Sequence, residues 1–469
     1  MIRKVILCLK GEKPMNLTFW EVAEATKATN NWKQWEDFDL TGIEFDSRLI
    51  TQGNLFVPLK GENDGHSFIK NAMERGLGAA FWSALEVPPS QLPILQVTDT
   101  LKAMQDLAVY YLQKMKPTVI AITGSNGKTT TKDMTEAVLA QQFKTYKTQG
   151  NYNNDIGLPY TILHMPDETE KLILEMGMDH ANEIDFLSKL SQPDVAAITM
   201  IGEAHIENLG SRAGIAKAKM EIVTGLSDEG LLLIPAEESL LVPLTKGLPQ
   251  TIKTFGFEQA DCQAEIIEAQ KEQTTFKIKG STRIFTIPVP GKYNVGNALI
   301  AISIGQWLKI PEEKIQNGLA DFELTKNRTE WLKTSTGIEI LSDVYNANPT
   351  AMNLVLDSFS QMSTQGKRVA VLGDMLELGP DSASMHGSVS EHLNPDEISE
   401  VILYGSEMKT LYQILKEKYS EKQLYYFNKE EKDKLINTLK KLLEPADMVV
   451  LKASNGMGLK DVVAELLES

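Results

Sequence analysis

Apolar and polar positions follow three different rhythms along the chain, and each rhythm marks a block. In residues 15–115, short apolar runs mix with one long amphipathic segment. Leu55-Phe56-Val57-Pro58-Leu59 predicts a strand, and Ser67 to Arg75 a helix that stops at Gly76. Leu101, Met104, Leu107, Ala108, Tyr111 and Leu112 recur at helical spacing and predict a helix over 101–114. Lys116-Pro117 then breaks the chain and marks the first boundary. Residues 118–234 alternate buried-strand runs with helical patterns, the rhythm of a parallel sheet. Strands are predicted at Thr118–Thr123, 171–175, 195–199 and 231–234, with helices at 129–142, 181–190 and 212–226. Within 252–290 the segments beginning at Ala264, Thr275 and Arg283 predict antiparallel strands at that sheet's edge, and Gly291 to Leu308 a helix. Residues 326–469 alternate again, with strands predicted at 338–341, 368–372, 401–403, 424–427 and 448–451. That last block has the look of a Rossmann-type sheet. No Gly-x-Gly-x-x-Gly follows its first strand, so a dinucleotide is not indicated.

Composition narrows the possibilities. The 469 residues carry 47 Lys plus Arg against 63 Asp plus Glu, a net charge of −16. That balance argues against nucleic acid or an anionic membrane as the main partner, while leaving room for a local basic pocket. Two cysteines, Cys8 and Cys262, imply no disulfide framework and a reducing, cytoplasmic setting. No apolar run approaches the ~18 residues of a membrane span, so no membrane insertion is expected. The start lacks a small-residue cleavage site, so a signal peptide is not expected. Met15-Asn-Leu-Thr-Phe reads as a second start, which makes residues 1–14 a translation-start extension outside the fold.

The strongest chemical signal is Thr123-Gly-Ser-Asn-Gly-Lys-Thr-Thr130, set between a buried strand and a helix. Glycine-turn amides and the helix N-terminus can cradle phosphate. Lys128 can neutralise β- and γ-oxygens, and the Thr129 hydroxyl can ligate Mg²⁺. The strict G-x-x-x-x-G-K-[ST] pattern fails because Ile122 holds the first glycine position; the spacing is the shorter Gly-x-x-Gly-Lys-Thr. A plain glycine turn at a helix start is the alternative, but strand, loop, Gly-Lys-Thr and helix together favour a nucleotide.

Glu175 ends one apolar strand and His205 follows the next. In an open parallel sheet both emerge at the carboxyl edge beside the phosphate loop, where a carboxylate and an imidazole can hold a second metal ion. A strand-end Glu is more often a cap or a solvated group, and a lone His more often a hydrogen-bonded structural residue. The loop Gln149 to Pro159, rich in amides and glycines, is equally a turn cluster or a substrate loop.

Taken together these segments resemble the Mur ligases of peptidoglycan synthesis, over nearly the whole chain from Met15. The phosphate loop is similar to the family's Thr-Gly-x-x-Gly-Lys-Thr, and Thr148 to Pro159 to the family loop after the second strand. The resemblance implies an α/β fold of three domains. These are a small α/β domain at 15–116 for the UDP-MurNAc-peptide, a central P-loop-type ATPase domain with a mostly parallel sheet at 117–325, and a C-terminal Rossmann-like domain at 326–469 for the amine. It implies metal positions at Thr129, Glu175 and His205, and a carbamylated Lys219 in Ala216-Lys-Ala-Lys-Met-Glu-Ile222. ATP contacts are implied for Gly124, Ser125, Asn126, Gly127, Lys128, Thr129, Thr130, Asn294, Asn297, Arg328 and Asp343, and catalytic roles for Lys128, Lys219, His205 and Arg328. Substrate contacts are implied for Ser47 and Arg48, for Asn151 and Asn154, and for Tyr345, Asn346 and Asn348. Lys452-Ala-Ser-Asn-Gly has Ala453 where the family pattern has glycine, which leaves the roles of Lys452 and Ser454 open.

The segments Asp343 to Pro349 and Leu372 to Gly379 point to the member that adds D-alanyl-D-alanine. The implied reaction is ATP-dependent: a UDP-MurNAc-tripeptide carboxylate becomes an acyl phosphate, which the dipeptide amine attacks. ATP and two Mg²⁺ are the implied cofactors, and a monomer the implied form. Three substrates on three domains suggest that closure assembles the site. The rivals are another ligase of the superfamily, adding the third peptide residue or glutamate to folate, and a P-loop nucleotide switch.

Overall fold

The computed structural model describes Met15, residues 17–325 and residues 328–468. The expected extension at residues 1–14 and the proposed domain edge at Lys326 lie outside the described residues.

The N-terminal block pairs β1 (Leu17–Thr18) antiparallel with β2 (Asp39–Leu40). Beside it lies a parallel sheet in the order β3 (Ile43–Glu44), β4 (Leu55–Phe56), β5 (Ala79–Trp82), β6 (Ile94–Gln96). The helix Thr100–Met115 is capped by Asp99, whose carboxylate accepts from Lys102 N at 2.9 Å. It ends at Lys116 in the left-handed region (φ 51°), and Pro117 cannot continue it. Its buried face docks on the central block: Tyr111 Oη donates to Asp167 Oδ1 at 2.7 Å, and Gln105 to the Asp155 carbonyl at 3.1 Å.

Among the described residues the central sheet has nine strands: β7 (Thr118–Thr123), β8 (Thr145–Lys147), β9 (Lys171–Glu175), β10 (Val195–Ile198), β11 (Leu231–Pro235), β12 (Thr251–Gly256), β13 (Cys262–Ala269), β14 (Thr274–Ile278) and β15 (Ile284–Ile287). Their order is β15-β14-β13-β12-β11-β10-β7-β9-β8. The pairings from β8 to β13 are parallel, and only β13-β14-β15 are antiparallel. Strands β7 and β10 are apolar on both faces because helices cover both. The helix Lys292–Trp307 is apolar all round and buried along most of its length. The antiparallel strands predicted at Ala264, Thr275 and Arg283 are β13, β14 and β15. One expectation shifts: the helix predicted over 212–226 ends at Met220 and tightens into a 3₁₀ turn, Glu221–Thr224.

The C-terminal sheet runs β16 (Glu330–Lys333), β17 (Glu339–Asp343), β21 (Met448–Lys452), β18 (Arg368–Gly373), β19 (Glu400–Tyr404), β20 (Leu424–Phe427). Among the described strands only the edge strand β16 is antiparallel. The segments after β17 and β18 reach the phosphate-loop side of the central sheet.

Candidate active site

The phosphate loop leaves β7 through Gly124 (φ 151°) and enters the helix Lys128–Leu139 through Gly127 (φ 80°). A Cβ on Gly124 would sit 1.8 Å from Thr199 Oγ1, and one on Gly127 2.5 Å from Asn297 Oδ1. Both positions need glycine for their backbone angles and for close approach. Lys128 Nζ folds back and donates to the Gly124 carbonyl at 2.8 Å. Burial lowers the pKa of its ammonium, which a phosphate would offset.

Thr129 Oγ1 donates to Glu175 Oε2 at 3.0 Å, and Asn153 Nδ2 to Glu175 Oε1 at 2.9 Å. Glu175 is 2% exposed, and the buried Lys132 ammonium stands 3.8 Å from it. Arg328 donates to Thr129 Oγ1 at 3.3 Å, and its guanidinium carbon lies over the Tyr345 ring, 3.7 Å from the centroid. Its Nε is buried without a hydrogen-bond partner among the described residues. His205 adopts φ 60°, and its Nδ1 lies 2.5 Å from Glu377 Oε2 and 3.3 Å from Asp179 Oδ1. The helix Arg212–Met220 carries Lys219, which is 2% exposed. Burial, and then the nearby Lys128 charge, push the Lys219 pKa well below the usual lysine range.

Lys128, Thr129, Glu175, His205, Lys219 and Arg328 share one cleft of about 720 Å³, which also takes in Ser125, Asn151, Asn154 and Asn346. The predicted metal and phosphate residues are thus brought together. A second cavity of about 200 Å³ adjoins it and holds Thr130, Asn294, Asn297 and Asp343, with Arg328, Asn126 and Gly127 bordering both. Asn297 donates to Asn294 Oδ1 at 3.1 Å and accepts from Thr131 Oγ1 at 3.2 Å, which ties this wall to the phosphate-loop helix.

Other predicted substrate residues sit differently. Asn154 Oδ1 accepts from Gly157 N at 2.9 Å, so its carbonyl end serves the loop. Asn348 lines neither cavity; its amide pairs with that of Asn126. Ser47 is buried in the N-terminal block, and Arg48, 76% exposed, is paired with Asp46; neither lines the cleft.

Sequence reasoning passed over Asn153, Lys132, Glu203 and Glu377. Asn153 and Glu377 lie inside segments already singled out, the amide loop and Leu372 to Gly379. Lys132 reads as one more polar residue of a Thr-rich helix, with nothing local to mark it.

Comparison with known proteins covers the same three blocks. The Mur ligase family catalytic domain profile matches residues 39–111, the Mur ligase middle domain 122–305, and the Mur ligase glutamate ligase domain 327–455. A Bacillus subtilis protein named UDP-N-acetylmuramoyl-tripeptide--D-alanyl-D-alanine ligase is 41% identical over 96% of this chain and 98% of its own. An Escherichia coli protein of the same name is 32% identical over 96% and 98%. Among solved structures, MurF from Acinetobacter baumannii superposes with a TM-score of 0.87 at 29% identity, covering 98% of this chain and 100% of that one. MurF from Thermotoga maritima, in complex with ADP, gives 0.79 at 26% identity over 91% and 97%. With likeness running from the N-terminal sheet through the phosphate loop to the last strands, the chain belongs to the Mur ligase family.

Proposed function

We infer that the cleft joins D-alanyl-D-alanine to the free carboxylate of UDP-N-acetylmuramoyl-tripeptide at the expense of ATP. The protein is an ATP-dependent ligase of peptidoglycan precursor synthesis. The observation that carries the reading is the convergence of Lys128, Thr129, Glu175, Lys219 and Arg328 on one cleft between the two large domains. A phosphate loop alone would serve a switch; a second wall of charged groups and a docked third domain suit phosphoryl and acyl transfer in one place.

A carboxylate resists amine attack because oxide would have to leave. The substrate oxygen therefore attacks the γ-phosphorus, the bond to ADP breaks, and an acyl phosphate forms. The amine nitrogen then attacks the acyl carbon and loses its proton, and the tetrahedral intermediate collapses with phosphate leaving. The chain's part is positioning and charge stabilisation. Lys128 and Arg328 supply cations to the transferring group, and the orphaned Arg328 Nε is a buried donor awaiting an anion.

Thr129 Oγ1 and Glu175 Oε2, hydrogen-bonded side by side, form an oxygen donor pair suited to Mg²⁺ next to the β- and γ-phosphates. The ion would neutralise phosphate charge there. A second Mg²⁺ would be held from His205 and a carbamate on Lys219. The neutral amine that burial favours is the form that attacks CO₂: the N–C bond forms, the C=O electron pair moves to oxygen, and the nitrogen gives up a proton. We assign the peptide substrate to residues 15–116, ATP to 117–325 and the dipeptide to 326–469. The chain acts as a cytoplasmic monomer; among the described residues no helix is long and apolar enough to cross a membrane.

The test is mass spectrometry of UDP-MurNAc-tripeptide, ATP and candidate amines with the purified protein. The expected product is the pentapeptide, with ADP release dependent on D-alanyl-D-alanine. Amine-independent ADP release, or a third-residue or glutamate product, would refute it.

A further inference from the structure

The helix Pro349–Ser360 of the C-terminal domain starts against the central domain, and its first turn is capped from both sides of that boundary. Asn348 is its own cap: Oδ1 accepts from Ala351 N at 2.9 Å. Pro349 has no N–H. The remaining donor, Thr350 N, goes to Glu203 Oε2 at 3.0 Å, and the Thr350 hydroxyl donates to the same carboxylate at 2.7 and 3.0 Å. Glu203 belongs to the other domain, on the loop after β10, 147 positions away. Its carboxylate is steadied from behind by Arg212, Nε to Oε1 at 3.8 Å.

The same turn touches the phosphate loop. Asn126 donates to Asn348 Oδ1 at 3.2 Å, and Asn348 donates back to Asn126 Oδ1 at 3.0 Å. Ser125 N donates to the Met200 carbonyl at 3.0 Å and Ser125 Oγ to the Gly202 carbonyl at 3.3 Å, so loop 199–203 and the phosphate loop are one hydrogen-bonded unit. Nucleotide that orders the phosphate loop therefore also sets the place where Glu203 meets the helix.

We propose that Glu203 is a positioning residue, a carboxylate of the ATP-binding domain that caps the amine-binding domain's helix and latches the two domains in the closed arrangement. A negative charge at a helix N-terminus is favourable, and two donors on one carboxylate give the contact direction. When the domains part, Thr350 N and the carboxylate return to water, so the latch adds stability to the closed state alone. It couples nucleotide and dipeptide binding, and by linkage each ligand must tighten the other by the same factor. The inference rests on the ligase reading for the identity of those ligands.

The experiment reads domain separation and kinetics separately. Spin labels on cysteines replacing the exposed Lys246 and Lys422 report the distance between the domains with a non-hydrolysable ATP analogue bound. The parent should show a short-distance population that Glu203→Ala loses. Glu203→Ala should also raise KM for D-alanyl-D-alanine about tenfold, the scale of a lost hydrogen bond to a charged group. Glu203→Gln, which keeps an acceptor oxygen, should recover part of both. Should Glu203→Ala fail to fold, Thr350→Val removes the hydroxyl from the opposite side. The double variant should lose no more than Glu203→Ala alone, since both remove one contact. An unchanged distance distribution in Glu203→Ala, or in Thr350→Val if that alone folds, would overturn the latch, as would losses that multiply in the double variant. The distances need no turnover, so the latch can fail while the ligase assay succeeds, and the reverse.

Discussion

Replacing Lys452 by methionine should destabilise the C-terminal domain by more than any ordinary surface lysine could. Lys452 ends β21 and is 2% exposed. Its ammonium pairs with the Asp343 carboxylate at the end of the neighbouring β17 and donates to the Asn346 carbonyl at 3.1 Å. Methionine keeps the stem's packing and removes the charge. Among the described residues the Asp343 carboxylate, 12% exposed at the wall of the smaller cavity, then keeps the Thr329 N–H at 3.3 Å. Breaking a buried pair from one side costs about 3–5 kcal/mol, because the surviving charge is left uncompensated. In a domain of this size that is roughly a 10 °C fall in melting temperature. The assay is scanning calorimetry, which resolves domain transitions where a single melt cannot. Asp343→Asn in the Lys452→Met background removes the stranded charge and should recover most of the loss. A Lys452→Met protein within about 1 kcal/mol of the parent, the scale of an exposed pair, would refute the reasoning. So would a double variant no more stable than the single.

Lys128→Ala should lower turnover by about 10²–10³-fold, as expected for a lost cation at the transferring group, with the melting temperature nearly unchanged; steady-state ADP release and calorimetry check both. Bicarbonate should raise the melting temperature of the parent but not of Lys219→Met or Lys219→Arg, and ¹³CO₂ should give a carbamate NMR signal only in the parent; no signal at saturating CO₂ would sink the assignment. Asp374 is buried, which raises its pKa above 3.8, so between that value and the folded pKa the native state holds more protons than the unfolded chain. Its contribution is full below 3.8 and lost as pH rises through the folded pKa. The parent's stability relative to Asp374→Asn, read by urea titration, should therefore fall over that window, and a constant gap would contradict it.

Much of the fold was legible because the strands that matter most are apolar on both faces. Thr118–Thr123, 171–175 and 448–451 stand out as short uninterrupted runs, and the structure returns them with at most one residue of difference. Most strands of the two large sheets that escaped have a polar face or an edge position, whereas β5, Ala79–Trp82, escaped by its shortness although it is buried throughout. In β12, Thr251-Ile-Lys-Thr-Phe-Gly, the polar positions are half-buried or exposed, so it lacks the buried-run signature although it pairs in parallel with β11. The edge strands β8 and β16 are half-buried at best and carry no buried-run signature.

The site divides the same way. A phosphate loop is local: glycines, lysine and threonine within eight positions fix their own geometry. Its partners are not local. Glu175 meets Asn153 across 22 positions and Glu203 meets Thr350 across 147, contacts that only the sheet order creates. Ala453 shows how a departure from a family pattern resolves in three dimensions. Its methyl lies 2.8 Å from where a Cβ on Gly373 would stand, on the adjacent strand β18. Two side chains cannot occupy that gap, and the chain leaves it to Ala453 by keeping glycine at 373. Packing constrains the pair of positions, so one of them alone carries no message about Lys452. That lysine keeps its place at the strand end opposite Asp343, and the local sequence around it could not have revealed its partner, because the 109 positions between them are spanned by the sheet.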